Sequence, residues 1–175
     1  GEGAALFVMQ RHNEGIALLG AGASSDAHHM SAPHPEGRGA VASIRHACKD
    51  AGIVPSQLGY INLHGTATPL NDSMESRALA QLGLTATPAS STKGMTGHTL
   101  GAAGAIEAAL CWLTLSSYNT EQLLIPHCWD EQADADIPAL QLVTPLQNAN
   151  NVQYCLSNSF AFGGNNMALI LGKTT

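Results

Sequence analysis

The feature of the sequence that most constrains its fold is the apolar stretch at residues 98–117, whose first turns consist almost wholly of Gly and Ala. We expect this stretch to form the longest helix of the chain. A helix with such small apolar side chains can pack closely against other backbones. The sequence therefore predicts a helix at the centre of a layered fold.

Strand and helix patterns alternate around this helix. Apolar residues at helical spacing predict a helix over 39–51, which Gly52 ends, and a second helix that starts at a cap on Asn71 or Asp72 and runs to about Leu82. Short apolar runs predict strands at residues 4–9, 16–19, 58–63, 89–91, 154–158 and 167–171. The alternation predicts an α/β layered fold in which the last two strands form an antiparallel pair.

The first forty residues contain a predicted turn and a predicted loop. Residues 4–9 and 16–19 are expected to pair as strands through the short polar turn between them, and residues 23–36 are expected to form a loop. The Gly-Ala-Gly run at 20–22 is similar to the start of a dinucleotide-binding fingerprint. That interpretation fails because Ser25 stands where the third Gly is required and no helix follows.

The charge of the chain argues against a nucleic-acid binder. The net charge is −6 and the seven Lys and Arg residues are scattered, whereas phosphate neutralisation requires clustered positive charge. No apolar run approaches the roughly 20 residues that span a bilayer, so we expect a cytoplasmic protein without a membrane span. Only 11% of the residues are charged, against roughly 25% in soluble domains, which suggests that something else covers much of the surface.

The cysteines and histidines offer little support for a metal site. Cys48 and Cys111 fall inside apolar helical patterns, so we expect them to be buried thiols. A metal-binding module would use Asp26 with the neighbouring histidines of its loop. Those histidines, His28, His29 and His34, lack an ordered ligand spacing and a second ligand group, so no metal is predicted.

Three segments place polar groups where a predicted strand ends, which is where open α/β sheets bind ligands. They are residues 62–68, 91–98 and 158–166. Taken alone, His64 fits a structural role better than a catalytic one, and His98 fits either role. A Glu on the otherwise apolar face of the long helix needs a partner, and Lys93 is the obvious candidate for Glu107.

Together these segments resemble the β-ketoacyl-acyl carrier protein synthases, in the elongating type I and type II branch of the thiolase superfamily. The likeness runs nearly end to end, through GEGAALFVM, SSDAHHMSAP, INLHGTATPLNDSMES, SSTKGMTGHTLGAAGAIEAAL and LSNSFAFGGNN. It implies the C-terminal half of a thiolase-like fold, a five-stranded mixed sheet with helices on both faces. Residues 1–10 would be the last strand of a preceding half, and residues 11–175 the C-terminal ketosynthase domain.

The resemblance implies the decarboxylative condensation of an acyl thioester with malonyl-acyl carrier protein, in fatty-acid or polyketide biosynthesis. It assigns roles to eight residues of this chain. They are the catalytic His64 and His98, the supporting pair Lys93 and Glu107, the pantetheine-binding Thr66 and Thr68, and Phe162 and Gly163 of the gate and oxyanion hole. The pairing of Lys93 with His98 is typical of the Cys-His-His branch and differs from the Cys-His-Asn set of initiating synthases.

The chain departs from the family pattern in several places. Ala161 stands where a Gly is usual before the gating Phe, Asn165 replaces the usual Thr, and the connection from Gln10 to Ile16 is short. No segment carries the nucleophilic Cys, which the family places on the N-terminal half. We therefore expect this chain to be incomplete as an enzyme.

The resemblance also implies the partners of the protein. They are the N-terminal half of the same enzyme, an acyl carrier protein, and a second subunit in a homodimer or a ketosynthase heterodimer. No cofactor is expected beyond the phosphopantetheine that carries the substrates. The alternative is a non-catalytic chain-length factor that pairs with an active synthase. Such partners typically lose the histidines, and both are present here.

Overall fold

The computed structural model describes residues 1–11, 14–149 and 151–174. Within those ranges the chain forms five strands and four α-helices, joined by short 3₁₀ turns. In chain order they are β1 (Gly15–Ser25), α1 (Arg38–Asp50), β2 (Tyr60–Asn62), α2 (Pro69–Gln81), β3 (Ala89–Ser90), α3 (Lys93–Thr96), α4 (Ala103–Leu115), β4 (Tyr154–Ala161) and β5 (Asn165–Thr174).

The strands form one mixed sheet in the order β1-β5-β4-β2-β3. Strand β2 pairs in parallel with β3 and β4, whereas β5 pairs antiparallel with β4 and β1. The predicted α/β architecture and the antiparallel pair of late strands are therefore confirmed.

Helices cover both faces of the sheet, as predicted. Because side chains alternate between the faces of a strand, neighbouring residues of β4 enter different cores. Leu156 packs in a core with Ile44 of α1 and Leu79 of α2. Cys155 packs in a separate core with Cys111 of α4. The predicted burial of the thiols of Cys48 and Cys111 is also confirmed.

Strand β1 is longer than predicted because its glycines lie under a helix. A Cβ atom on Gly20 would overlap the carbonyl oxygen of Ala47, and one on Gly22 would overlap that of Ser43. The two glycines therefore let α1 approach the strand closely. The apolar run at residues 16–19 predicts a strand that ends before these glycines, whereas β1 continues through them to Ser25.

The N-terminal segment differs from its prediction. Residues 1–11 contain no strand, and β1 pairs with β5, so the predicted pairing of 4–9 with 16–19 is wrong. Part of the predicted turn between them, His12 and Asn13, lies outside the described residues. The assignment of residues 1–10 to the sheet of a preceding half stays a prediction.

Two helices begin at different residues from those predicted. Helix α4 begins at Ala103 rather than 98, because Leu100 adopts a left-handed backbone conformation (φ 52°) and a 3₁₀ turn precedes the helix. Helix α2 begins at Pro69, with Thr68 as its N-cap residue, since proline is preorganised for the first helical position. Across the described ranges, no helix is long and apolar enough to cross a bilayer.

Candidate active site

His64 lies two residues beyond β2, and its backbone is held from both sides. Its N–H donates to Glu75 Oε1 (2.9 Å), and its carbonyl oxygen accepts a hydrogen bond from Lys93 Nζ (2.5 Å). The residue is 7% exposed. Side chains of α2 and α3 thus fix the backbone of the histidine that follows β2.

Glu75 is a site residue that the sequence analysis missed. This carboxylate is 2% exposed, and it also accepts from the N–H of Gly65 (2.8 Å) and from Asn158 Nδ2 (3.1 Å). Burial raises the pKa of Glu75, while these donors and Lys93 oppose that shift. The available signal was its spacing, because Glu75 precedes the apolar Ala78 and Leu79 by three and four residues and so shares their buried face.

The rings of His64 and His98 lie side by side. Their centroids are 5.5 Å apart and the ring planes are nearly perpendicular (84°). The N–H of Leu100 donates to Nδ1 of His98 (3.1 Å). A neutral His98 ring therefore carries its proton on Nε2, where it can donate to a ligand. Phe160 of β4 packs edge-on against His64, with centroids 5.8 Å apart, so the strand that leads to the Phe162 turn ends beside this histidine.

Both histidines are uncharged at neutral pH. Burial, the charge of Lys93 and the neighbouring His98 lower the pKa of His64 to about 3. Burial and Lys93 also lower the pKa of His98. The dipole of α4 is not the cause of this neutrality, because α4 begins five residues after His98.

Lys93 and Glu107 form the predicted buried ion pair. Lys93 Nζ contacts Glu107 Oε1, and the two side chains are 6% and 3% exposed. Burial raises the pKa of Glu107, and the hydrogen bond and charge of Lys93 limit that rise. Lys93 also binds the carbonyl of His64. The pair therefore connects α4, α3 and the loop that bears the first histidine.

The predicted pantetheine-binding threonines lie in the loop after His64. The hydroxyls of Thr66 and Thr68 are hydrogen-bonded to each other (2.9 Å) and lie at the surface. Thr66 lines a cavity of about 690 Å³ that also borders Lys93 and His98. Contact of these hydroxyls with a substrate stays a prediction.

The turn that joins β4 to β5 contains the predicted gate. The side chain of Phe162 is 79% exposed. The N–H of Gly163 donates to the carbonyl of Met30 (2.7 Å), and the N–H of Asp26 donates to the carbonyl of Gly164 (2.8 Å). Because the N–H of Gly163 is engaged, the N–H of Phe162 is the candidate oxyanion donor of this turn.

Asp26 has a structural role rather than that of a metal ligand. Its Oδ1 accepts from Asn166 Nδ2 (2.8 Å) and its Oδ2 accepts from the N–H of His34 (2.8 Å). The rings of His28 and His34 pack against each other, with centroids 4.9 Å apart. In residues 1–11, 14–149 and 151–174, no group of three His, Cys, Asp or Glu side chains is arranged to hold a metal.

The sheet is mixed and five-stranded, and two neutral histidines meet at its edge beside a buried Lys–Glu pair. These features define the C-terminal half of a thiolase-like fold. A family model described as Beta-ketoacyl synthase, C-terminal domain, matches residues 16–124. The chain belongs to the β-ketoacyl synthase family.

Comparisons with individual proteins agree with this assignment. The chain is 37% identical to 3-oxoacyl-[acyl-carrier-protein] synthase 2 of Vibrio harveyi and 38% identical to that of Synechocystis, over 99% of this chain and 43% of each relative. It therefore spans less than half the length of these curated relatives.

Two solved structures are also similar. One is the complex of the ketosynthase ApeO with its chain length factor ApeC from Xenorhabdus doucetiae, with a TM-score of 0.86 and 55% identity over 94% of this chain and 40% of that chain. The other is the ishigamide ketosynthase/chain length factor, with a TM-score of 0.81 and 36% identity over 90% of this chain and 38% of that chain.

Proposed function

We propose that this chain supplies the two histidines of a β-ketoacyl-acyl carrier protein synthase, an acyltransferase that condenses an acyl thioester with malonyl-acyl carrier protein. The observation that carries the proposal is the pair of neutral imidazoles, 5.5 Å apart, at the end of a buried strand. Neutral rings can donate hydrogen bonds to a developing oxyanion and release it afterwards.

The reaction begins with loss of carbon dioxide from the malonyl thioester. The bond between the carboxylate carbon and the α-carbon breaks, and its electron pair moves onto the thioester oxygen as an enolate. The N–H of His98 and a ring N–H of His64 stabilise that oxygen. Lys93, Glu107 and Glu75 position the two rings.

The second step forms the new carbon–carbon bond. The enolate α-carbon attacks the carbonyl of the acyl group held by a cysteine of the N-terminal half, and the N–H of Phe162 stabilises the resulting alkoxide. Collapse of this tetrahedral intermediate restores the carbonyl and releases the cysteine thiolate. The product is a β-ketoacyl thioester on the carrier protein.

The proposal includes partners and location. The substrates arrive on the phosphopantetheine of an acyl carrier protein, and no further cofactor takes part. The enzyme works in the cytoplasm as a homodimer or as a heterodimer with a related subunit. Support for the heterodimer comes from the similar ApeO and ishigamide structures, which are described as a ketosynthase together with a chain length factor. The pathway is fatty-acid or polyketide biosynthesis.

The test is carbon dioxide release from labelled malonyl-acyl carrier protein by the full-length enzyme and by its His64→Ala and His98→Ala variants. We expect release by the parent and a loss of about 10²–10³ in rate for each variant, as for other lost oxyanion donors. His46→Ala, on the exposed side of α1, is the matched control and should retain the parent rate. A full-length protein that releases no carbon dioxide alone but stimulates a partner synthase would instead be a chain-length factor.

A further inference from the structure

Part of the wall of the cavity that borders His98 is not used by the site described above. Thr66, Lys93 and His98 line the cavity. The segment that follows α4 in the sequence also lines it and forms the part of the wall that the site does not use. Its lining residues include His127, Cys128, Trp129, Ile137, Leu140 and Leu142.

This wall is fixed directly against the turn that bears Lys93. The N–H of His127 donates to the carbonyl of Val143 (2.9 Å), and the N–H of Ser91 donates to Nδ1 of the His127 ring (2.9 Å). A Cβ atom on Gly94 would lie 2.9 Å from Cβ of Cys128. The segment is therefore held in place at both its backbone and its side chains.

The hydrogen bond from Ser91 determines what the His127 ring can offer a ligand. Because Nδ1 accepts that bond, a neutral ring carries its proton on Nε2. Burial lowers the pKa of His127, and the charge of Asp72 only partly opposes this, so the ring is neutral at physiological pH. The ring also packs edge-on against Trp129, with centroids 6.2 Å apart, and Trp129 is 41% exposed.

The wall therefore presents one neutral hydrogen-bond donor, the His127 ring, next to the aromatic surface of Trp129 and several aliphatic side chains. A ligand that complements it is an extended, uncharged chain with amide carbonyls, because a neutral N–H suits a carbonyl oxygen and the indole covers methylene groups. The arm that links a thioester to a carrier protein has this composition.

We propose that His127 and Trp129 form a second contact surface for the pantetheine arm, in the cavity that Thr66 also lines, with the Nε2–H of His127 donating to an amide carbonyl of the arm. This assignment rests on the proposed function, since that function supplies the ligand. In this assignment, the segment after α4 contributes to binding of the substrate that the carrier protein delivers.

Two substitutions of His127 separate the ligand contact from the structural one. In His127→Asn, the side-chain oxygen can replace Nδ1 as the acceptor for Ser91, and the donor toward the cavity is lost. In His127→Gln, the longer side chain can place an amide N–H near the position of Nε2, and the Nδ1 acceptor is lost. Trp129→Ala removes the aromatic surface, and Tyr118→Ala, at an exposed position after α4, is the control.

The experiment is calorimetric binding of acetyl-pantetheine in its non-reacting amide form to the full-length enzyme and to these variants. We expect the Kd to rise about three- to tenfold in His127→Asn, as for the loss of one neutral hydrogen bond. Trp129→Ala should also weaken binding, while His127→Gln and Tyr118→Ala stay close to the parent.

An unchanged Kd in both His127→Asn and Trp129→Ala would overturn the proposal. Equal weakening in His127→Asn and His127→Gln, together with a lower melting temperature, would show that the ring is only structural and would also overturn it. Because binding is measured without turnover, a parent enzyme that binds the arm but does not condense would refute the proposed function and leave this inference standing.

Discussion

The carboxylate of Glu75 accepts the backbone N–H of His64 at 2.9 Å, from a helix that begins five residues after that histidine. The same carboxylate binds the N–H of Gly65 and the side chain of Asn158. A single buried acid therefore joins the end of strand β2, helix α2 and strand β4. The geometry makes Glu75 the positioning residue for His64.

Replacing Glu75 with Gln should destabilise the enzyme. One carboxylate oxygen becomes an NH₂ group that faces a backbone donor, and an unsatisfied buried group costs about 1–3 kcal/mol. Thermal unfolding of the full-length protein measures this cost, with the exposed Glu121→Gln as a control. A melting temperature equal to that of the parent would show that Glu75 does not hold the loop.

Removing one partner of the Lys93–Glu107 pair should have a larger effect. Glu107→Ala leaves the ammonium group of Lys93 buried without its carboxylate, which typically costs about 3–5 kcal/mol. Replacing Lys93 with Met in the same protein should restore part of the loss, because no unpaired charge then remains. Denaturant unfolding of the two single variants and the double variant tests this coupling, and strictly additive effects would contradict it.

The lowered pKa of His64 predicts how stability depends on pH. Between the unfolded pKa of about 6.5 and the folded value of about 3, the unfolded chain binds the His64 proton and the folded chain does not. Stability should therefore fall as the pH drops below about 6.5. The His64→Asn variant should show a shallower fall when both proteins are titrated by thermal unfolding between pH 7 and pH 5. Parallel curves would mean that His64 is protonated normally in the fold.

The α/β architecture and the contact between Lys93 and Glu107 follow from local sequence patterns, whereas the roles of His64 and His98 are implied only by the family resemblance. Alternating strand and helix signals predict the sheet, and the need of Glu107 for a buried partner predicts its contact with Lys93. These inferences succeed because the residue types and their spacing indicate which side chains are buried and which buried charge needs a partner.

The structure differs from the predictions where contacts between segments that are distant in sequence determine the local conformation. Gly20 and Gly22 indicate the end of a strand in the sequence, but in the structure they allow α1 to pack closely against β1. Glu75 accepts hydrogen bonds from the backbone N–H groups of His64 and Gly65. The residues around Gly20 and Gly22 in sequence do not indicate the contact with α1, whereas the spacing of Glu75 to Ala78 and Leu79 indicates burial but not its hydrogen-bond donors.

The central claim is that His64 and His98 serve decarboxylation, while acyl transfer depends on the cysteine of the other half. Parallel measurement of labelled acyl transfer and labelled carbon dioxide release by the full-length His98→Ala enzyme tests it most directly. We predict that carbon dioxide release falls by about 10²–10³, the effect of a lost oxyanion donor, while acylation largely survives. Acylation that disappears while decarboxylation persists would contradict the account.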